Sequence, residues 1–239
     1  MKHSTVFIFI CRRPSTHLRK FATEFAAQGV SADIAIVCDL PGESLAGGIQ
    51  EVWIDDATCV AAGYQGANYV FSKPSQGWDK ALYFAATSGY DRCWFIEDDV
   101  LFRDAAALVE FAGRYAVSSS DLLCAEYGEP STAPVWPHWA TASDFFSKHT
   151  TAHAFVALCR VSGLLLKTVD ALAKLHGRLC FMETMLPSIC KTLNMSIETY
   201  DPAIAQVRWG PPVTEDEVRV LLAEGKLAIH PYKEIQTIE

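Results

Sequence analysis

CWFIEDD, from Cys93 to Asp99, sets four apolar residues directly against three carboxylates. An apolar run this short reads as a strand buried on both faces, and the acidic residues then stand at its carboxyl end. Adjacent anions repel one another there. Ligands of open α/β sheets sit beyond the carboxyl ends of the strands, and a hard divalent cation relieves the repulsion through oxygen ligation. The stretch therefore predicts an α/β fold carrying Mg2+ or Mn2+ at the end of a central strand. A solvated acidic turn is the alternative reading.

Upstream, Val6–Cys11 reads as a further buried strand. Ser15 then caps a helix whose Leu18, Phe21, Ala22 and Phe25 share one face, ended by Gly29. Asp33–Cys38 is the next strand, with Asp39 at its carboxyl end; Glu51–Ile54 and Asn68–Phe71 are short strands, and Asp79–Ser88 is a helix closed by Gly89. Downstream, Asp104 caps a helix that turns Leu108, Phe111 and Tyr115 inward, and Leu122–Ala125 is a strand. Tyr127–His149 changes character: three prolines mix with Trp136, Trp139, Phe145 and Phe146 without a period, as in loops that bind a ligand or cover a core edge. Its polar groups suit sugar hydroxyls. Ala154–Cys159 returns as a strand, Ser162–Leu175 as a helix closed by Gly177, and Met182–Leu193 as a helix with Pro187 near its first turn. Thr214 and Glu217 form a capping box with Val213 and Val218 as its hydrophobic staple, on a helix that stops at Gly225. The alternation of strands and helices predicts βαβ units around a mainly parallel sheet, in a single domain over residues 1–239.

Composition narrows the partners. Of the 239 residues, 50% are apolar and 20% charged, enough for a sizeable core, and the net charge of −8 disfavours a nucleic-acid backbone or an anionic membrane surface. Val6–Cys11 falls far short of a spanning helix, and Arg12, Arg13 and Pro14 follow it in place of a signal-peptide cleavage site, so no integral membrane segment is expected. Eight cysteines without a C-x-x-C pair read as reduced core thiols of a cytoplasmic protein. The chain lacks G-x-G-x-x-G after its first strand, G-x-x-x-x-G-K-[ST] and G-x-S-x-G, so dinucleotide, P-loop and α/β-hydrolase readings fall away. His149 and His153 are spaced i, i+4, but no glutamate stands between them for H-E-x-x-H chemistry.

With its motif FIEDDVLF (Phe95 to Phe102), the preceding GWDKALYFAATSGYDRCWFIEDDV and the late LAIHPYKE, the sequence resembles nucleotide-sugar glycosyltransferases of the GT-A fold. Theirs is a Rossmann-like fold with a mainly parallel sheet flanked by helices and a smaller antiparallel acceptor-side part. Its D-x-D or E-D-D motif ends a strand and holds the metal under the donor diphosphate. The resemblance implies Asp99 as direct ligand, Glu97 and Asp98 nearer the ribose or reaching the metal through water, and His230 completing the metal site. It also implies a nucleotide-sugar-binding half over residues 1–100 and an acceptor-binding half over 101–239. Cys11, Arg12 and Arg13 at the first strand end meet the nucleotide, with an arginine toward the diphosphate; Asp39 contacts base or ribose, and Lys80 touches donor phosphate or ribose. Glu183, beginning a late helix beside a proline, is the implied base for transfer with inversion, and Asp144 is a weaker alternative.

The function expected is metal-dependent transfer of a sugar from a nucleoside-diphosphate sugar to a hydroxyl of a glycan, lipid-linked or protein acceptor. Two alternatives stand beside it. One is a non-catalytic nucleotide- or carbohydrate-binding protein on the same fold; the other is a nucleotidyltransferase, disfavoured because CRRPSTHL lacks the glycines of its loop.

Overall fold

Residues 4–40, 49–68 and 73–233 are described by the structure, a computed structural model. Chain order is β1 (Thr5–Cys11), α1 (Thr16–Ala26), β2 (Asp33–Cys38), β3 (Ile49–Trp53), α2 (Asp56–Ala61), α3 (Gly77–Ser88), β4 (Arg92–Glu97), β5 (Leu101–Phe102), α4 (Ala105–Arg114), β6 (Leu122–Cys124) and β7 (Tyr127–Gly128). It continues with β8 (His153–Ala154), β9 (Leu158–Ser162), α5 (Gly163–His176), α6 (Met182–Leu193), β10 (Ile197–Thr199), β11 (Ala205–Val207), α7 (Glu215–Ala223) and β12 (Ala228–His230).

Seven strands form the central sheet in the order β10-β6-β9-β4-β1-β2-β3. All its pairs are parallel except those of β9, which runs antiparallel to both β4 and β6. Successive side chains of a strand point to opposite faces, and β1 has an apolar layer on each. Val6, Ile8 and Ile10 join the core under α3, α5 and α6, whereas Phe7, Phe9 and Cys11 join the core under α1 and α4. Phe25 and Phe111, both fully buried in the second layer, each contribute about 1.5–3 kcal/mol by leaving water. The parallel register sets Ile10 opposite Glu97 and Cys11 opposite Cys38, so three strand ends stand in one row. Two smaller sheets, β11-β12-β5 and β7-β8, lie outside the central one.

Caps stop and start the helices as the residue types require. Ser15, Asp104, Ser162 and Thr214 accept from backbone N–H groups at the N-termini of α1, α4, α5 and α7, and Thr214 with Glu217 closes a capping box. Gly89 and Gly177 end α3 and α5 in the left-handed conformation. Several expected boundaries move. Ala154–Cys159 divides into β8 and β9, because Phe155 exchanges backbone hydrogen bonds with Ala125 and Glu126, and the Ala157 carbonyl turns to the Glu97 N–H. Pro187 is the sixth residue of α6, next to its first turn as expected. Of the strand expected at Asn68–Phe71, residues 69–71 lie outside those described, and Asn68 is in a turn. All eight cysteines are buried and unpaired. No helix among the described residues is long and apolar enough to cross a membrane.

Candidate metal centre and adjoining cleft

Glu97 is the last residue of β4, and the chain turns at once, the Val100 N–H donating to the Glu97 carbonyl. The Asp98 N–H donates to the Ile10 carbonyl at 3.0 Å, which fastens the turn to the end of β1. On the other side, β12 pairs antiparallel with β5 and carries His230 to the same place, while the Tyr232 N–H donates to the Asp99 carbonyl at 2.9 Å. One ligand atom from each of Glu97, Asp99 and His230 lies within 4.8 Å of the others.

The orientation of each group has a cause. Trp78, stacked on Phe95 at 5.3 Å, donates its indole N–H to Glu97 Oε1 at 2.5 Å. His230 Nδ1 lies 3.1 Å from the Arg208 carbonyl, which fixes the proton on Nδ1 and turns Nε2 inward. There Nε2 is 3.3 Å from Asp99 Oδ1 and 4.0 Å from Glu97 Oε2. Asp99 Oδ1 is buried and lacks an aligned hydrogen bond. Two carboxylates and an imidazole with one buried acceptor unsatisfied fit a borderline-hard divalent ion.

The electrostatics agree with that fit. Burial, reinforced by Asp99, pushes the Glu97 carboxyl up to about 7, against the Trp78 hydrogen bond. Burial and Asp99 likewise push Asp98 up to about 6. For His230, burial works against the protonated ring, but Asp99 and Glu97 more than offset it and hold the pKa above the usual imidazole value. Without a cation the site thus retains protons in its place.

A cleft of about 790 Å³ opens beside this centre, and Cys11, Arg12, Arg13, Asp39, Asp98 and Asp99 are part of its wall. Arg12 and Arg13 are exposed, and Cys11 is buried, its thiol pushed well up by burial and by Asp98. Three residues named from sequence sit elsewhere. Lys80, expected against the donor, is only 1% exposed and does not line this cleft, because Asp56 and Asp39 hold its ammonium beneath the surface. Asp144 is 68% exposed in an ion pair with Arg178 at 2.6 Å, apart from the cleft wall. Glu183 is buried in the first turn of α6; burial, then Glu97, drives its carboxyl well above the usual range. The sequence reading gave no role to Trp78 or to the Arg208 carbonyl. Neither has a signal of its own in the sequence: the indole in GWDK has the pattern of a core residue, and a backbone carbonyl has none.

No protein-family model matches the sequence, and no curated protein does. Among solved structures, the chain is similar to an active-site mutant of LgtC at 9% identity and a TM-score of 0.47, covering 96% of this chain and 87% of that one. It is also similar to mouse xyloside xylosyltransferase 1 in its apo form, at 10% identity and a TM-score of 0.42, covering 96% of this chain and 97% of the other.

Proposed function

We propose that this protein is a divalent-metal-dependent glycosyltransferase, moving a sugar from a nucleoside-diphosphate sugar to a hydroxyl of a glycan, lipid-linked or protein acceptor with inversion. The observation that carries the reading is the convergence of Glu97, Asp99 and His230 beside a cleft walled by Arg12 and Arg13. Asp99, His230 and Glu97 hold Mn2+ or Mg2+, which when bound supplies positive charge to the leaving diphosphate. Arg12 and Arg13 add charge from the end of β1, and Asp98 and Asp39 face the nucleoside. Residues 1–100 provide most of the donor side and residues 101–239 the acceptor side, with His230 returning to the donor. The resemblance makes Glu183 the base that takes the proton of the acceptor hydroxyl, a role it can fill only with its buried carboxyl ionised. The eight buried, unpaired thiols support a cytoplasmic setting.

Calorimetric titration with a panel of nucleotide sugars, with and without Mn2+, followed by a product assay, tests the reading. Metal-dependent donor binding with turnover is expected, and Glu183→Gln should lower kcat by about 100-fold or more while leaving donor affinity intact. A second reading is favoured by one observation: Glu183 is only 8% exposed. Donor binding without product would make the chain a nucleotide-sugar-binding protein, and full activity in Glu183→Gln would move the base elsewhere.

A further inference from the structure

His153 on β8 is 2% exposed and does not line the cleft, so the reaction as drawn leaves it unused. Carbon surrounds its ring. Trp136 stacks on it at 4.7 Å with the planes 16° apart, while Trp139 and Phe155 stand edge-on at 5.4 and 6.4 Å. Gly128, its partner across the β7–β8 ladder, lies directly against the ring, since a Cβ there would collide with Nε2. Neither Nδ1 nor Nε2 has a hydrogen-bond partner among the described residues, nor has the buried indole N–H of Trp136. A neutral imidazole carries one N–H and an imidazolium two, so protonation would set a charge and a second donor where no acceptor waits.

The segment over the ring is anchored at both ends. Glu129 pairs with Lys191 of α6 at 2.8 Å, and Thr141 shares a hydrogen bond with Thr184 of α6 at 3.1 Å. Between them, residues 130–139 close on themselves, the Trp136 N–H and the Trp139 indole both donating to the Ala133 carbonyl. Aromatic packing seats them: Trp136 lies on His153 and Phe155, and His138 on Phe181. The titratable groups of the packed elements are engaged elsewhere or neutral. On β7, Tyr127 donates to Glu129, already paired with Lys191; on α6, burial drives the Glu183 carboxyl toward its neutral form. In the segment, Asp144 pairs with Arg178, Lys148 and His149 are exposed, and His138 is a second imidazole whose pKa burial lowers. For His153 itself, burial lowers the pKa unopposed. The Trp136 face attracts an imidazolium but satisfies neither N–H.

We propose that His153 is an acid-operated latch: neutral, it seats Trp136 and the segment around it; protonated, it releases that segment while the central sheet stays folded. The inference holds whether or not the chain transfers sugar. A base whose pKa falls on burial favours the docked arrangement above its ordinary value of about 6.5 and weakens it as pH drops below that value. Release therefore belongs to acidification, and histidine is the side chain whose titration reaches it under mild conditions.

Fluorine NMR of the full chain labelled with fluorotryptophan reads Trp136 directly among the six indoles, its resonance assigned by its loss in Trp136→Phe. Between about pH 8 and about pH 4.5, a range that brackets the ordinary imidazole value, Trp136 should gain the solvent isotope shift of an exposed indole. Its midpoint should lie below about 6.5 and coincide with titration of the His153 ring proton. Far-ultraviolet circular dichroism should hold constant across that step. In His153→Phe, which keeps the ring packing and takes no proton, Trp136 should stay buried throughout, whereas His138→Phe should behave as the wild type. A wild-type Trp136 that stays buried to the acid limit overturns the inference, as does an unchanged transition in His153→Phe. Loss of the whole fold in the same step also overturns it, and so does a transition that disappears in His138→Phe but not in His153→Phe. Should His153→Phe not fold, the wild-type midpoints decide: Trp136 exposure separated from the His153 titration by a full pH unit removes the latch.

Discussion

At the scale of single residues, the retained protons of the acidic centre make a linked prediction. Glu97 and Asp98 release their protons near 7 and 6 in the folded chain, against about 4 in an unfolded one. Groups whose pKa is raised by folding stabilise the fold fully below the unfolded value and lose that contribution as pH climbs through the folded one. His230, also raised, acts in the same direction. The thermal midpoint of the metal-free protein should therefore decline from about pH 5 to about pH 7.5, and saturating Mn2+ should flatten the decline. Mn2+ affinity should weaken by about tenfold per unit below about pH 6, because protons compete for the ligands; a flat calorimetric profile would remove these carboxylates from the metal. Asp99→Asn and His230→Ala should each weaken Mn2+ by at least the about 10–100-fold seen for outer-shell partners. The acidic cluster was legible in sequence because three consecutive carboxylates follow an apolar run. Trp78 was not, since an indole that orients a carboxylate has the same local pattern as one that fills a core.

At the scale of elements, α3 meets β1 through the absence of a side chain. A Cβ at Gly77 would stand 2.9 Å from Ile10 Cγ2, so the first turn of α3 lies on the end of β1, and Trp78 follows directly. Gly77→Val should cost about 1–3 kcal/mol through overpacking, read as a lower thermal midpoint. It should also weaken Mn2+ by shifting the indole from Glu97; unaltered stability and affinity together would show that the close approach is not needed. The long strands β1, β2 and β4 were readable as uninterrupted apolar runs. The two- and three-residue strands β5, β7, β8, β11 and β12 were not, because each is defined by its partner across the fold rather than by any period of its own. His230 depended on that pairing: sequence offered a histidine before a proline, and the β12–β5 ladder supplies its place.

For the whole molecule, the central sheet gathers the ends of β1, β2 and β4 along one edge, and the small β11-β12-β5 sheet brings His230 to the same edge. An ion and nucleotide binding there touch both sheets and should stabilise the chain as a unit. At a nucleotide concentration about 100 times its Kd the gain is about 2.7 kcal/mol, or about 5–10 °C for a chain of this size. Differential scanning calorimetry should find that shift in the wild type and not in Asp99→Asn; an equal shift in both would place the ligand elsewhere. The mainly parallel sheet was legible from the alternation of strands and helices, but the antiparallel β9 was not, since a buried run has no visible direction. The ladder that delivers His230 has a bearing on biosynthesis. More than a hundred residues separate that imidazole from Glu97 along the chain, so a ribosome completes the acidic cluster long before His230 emerges. On the metal-dependent reading proposed above, a nascent polypeptide therefore lacks the full coordination set until β12 docks.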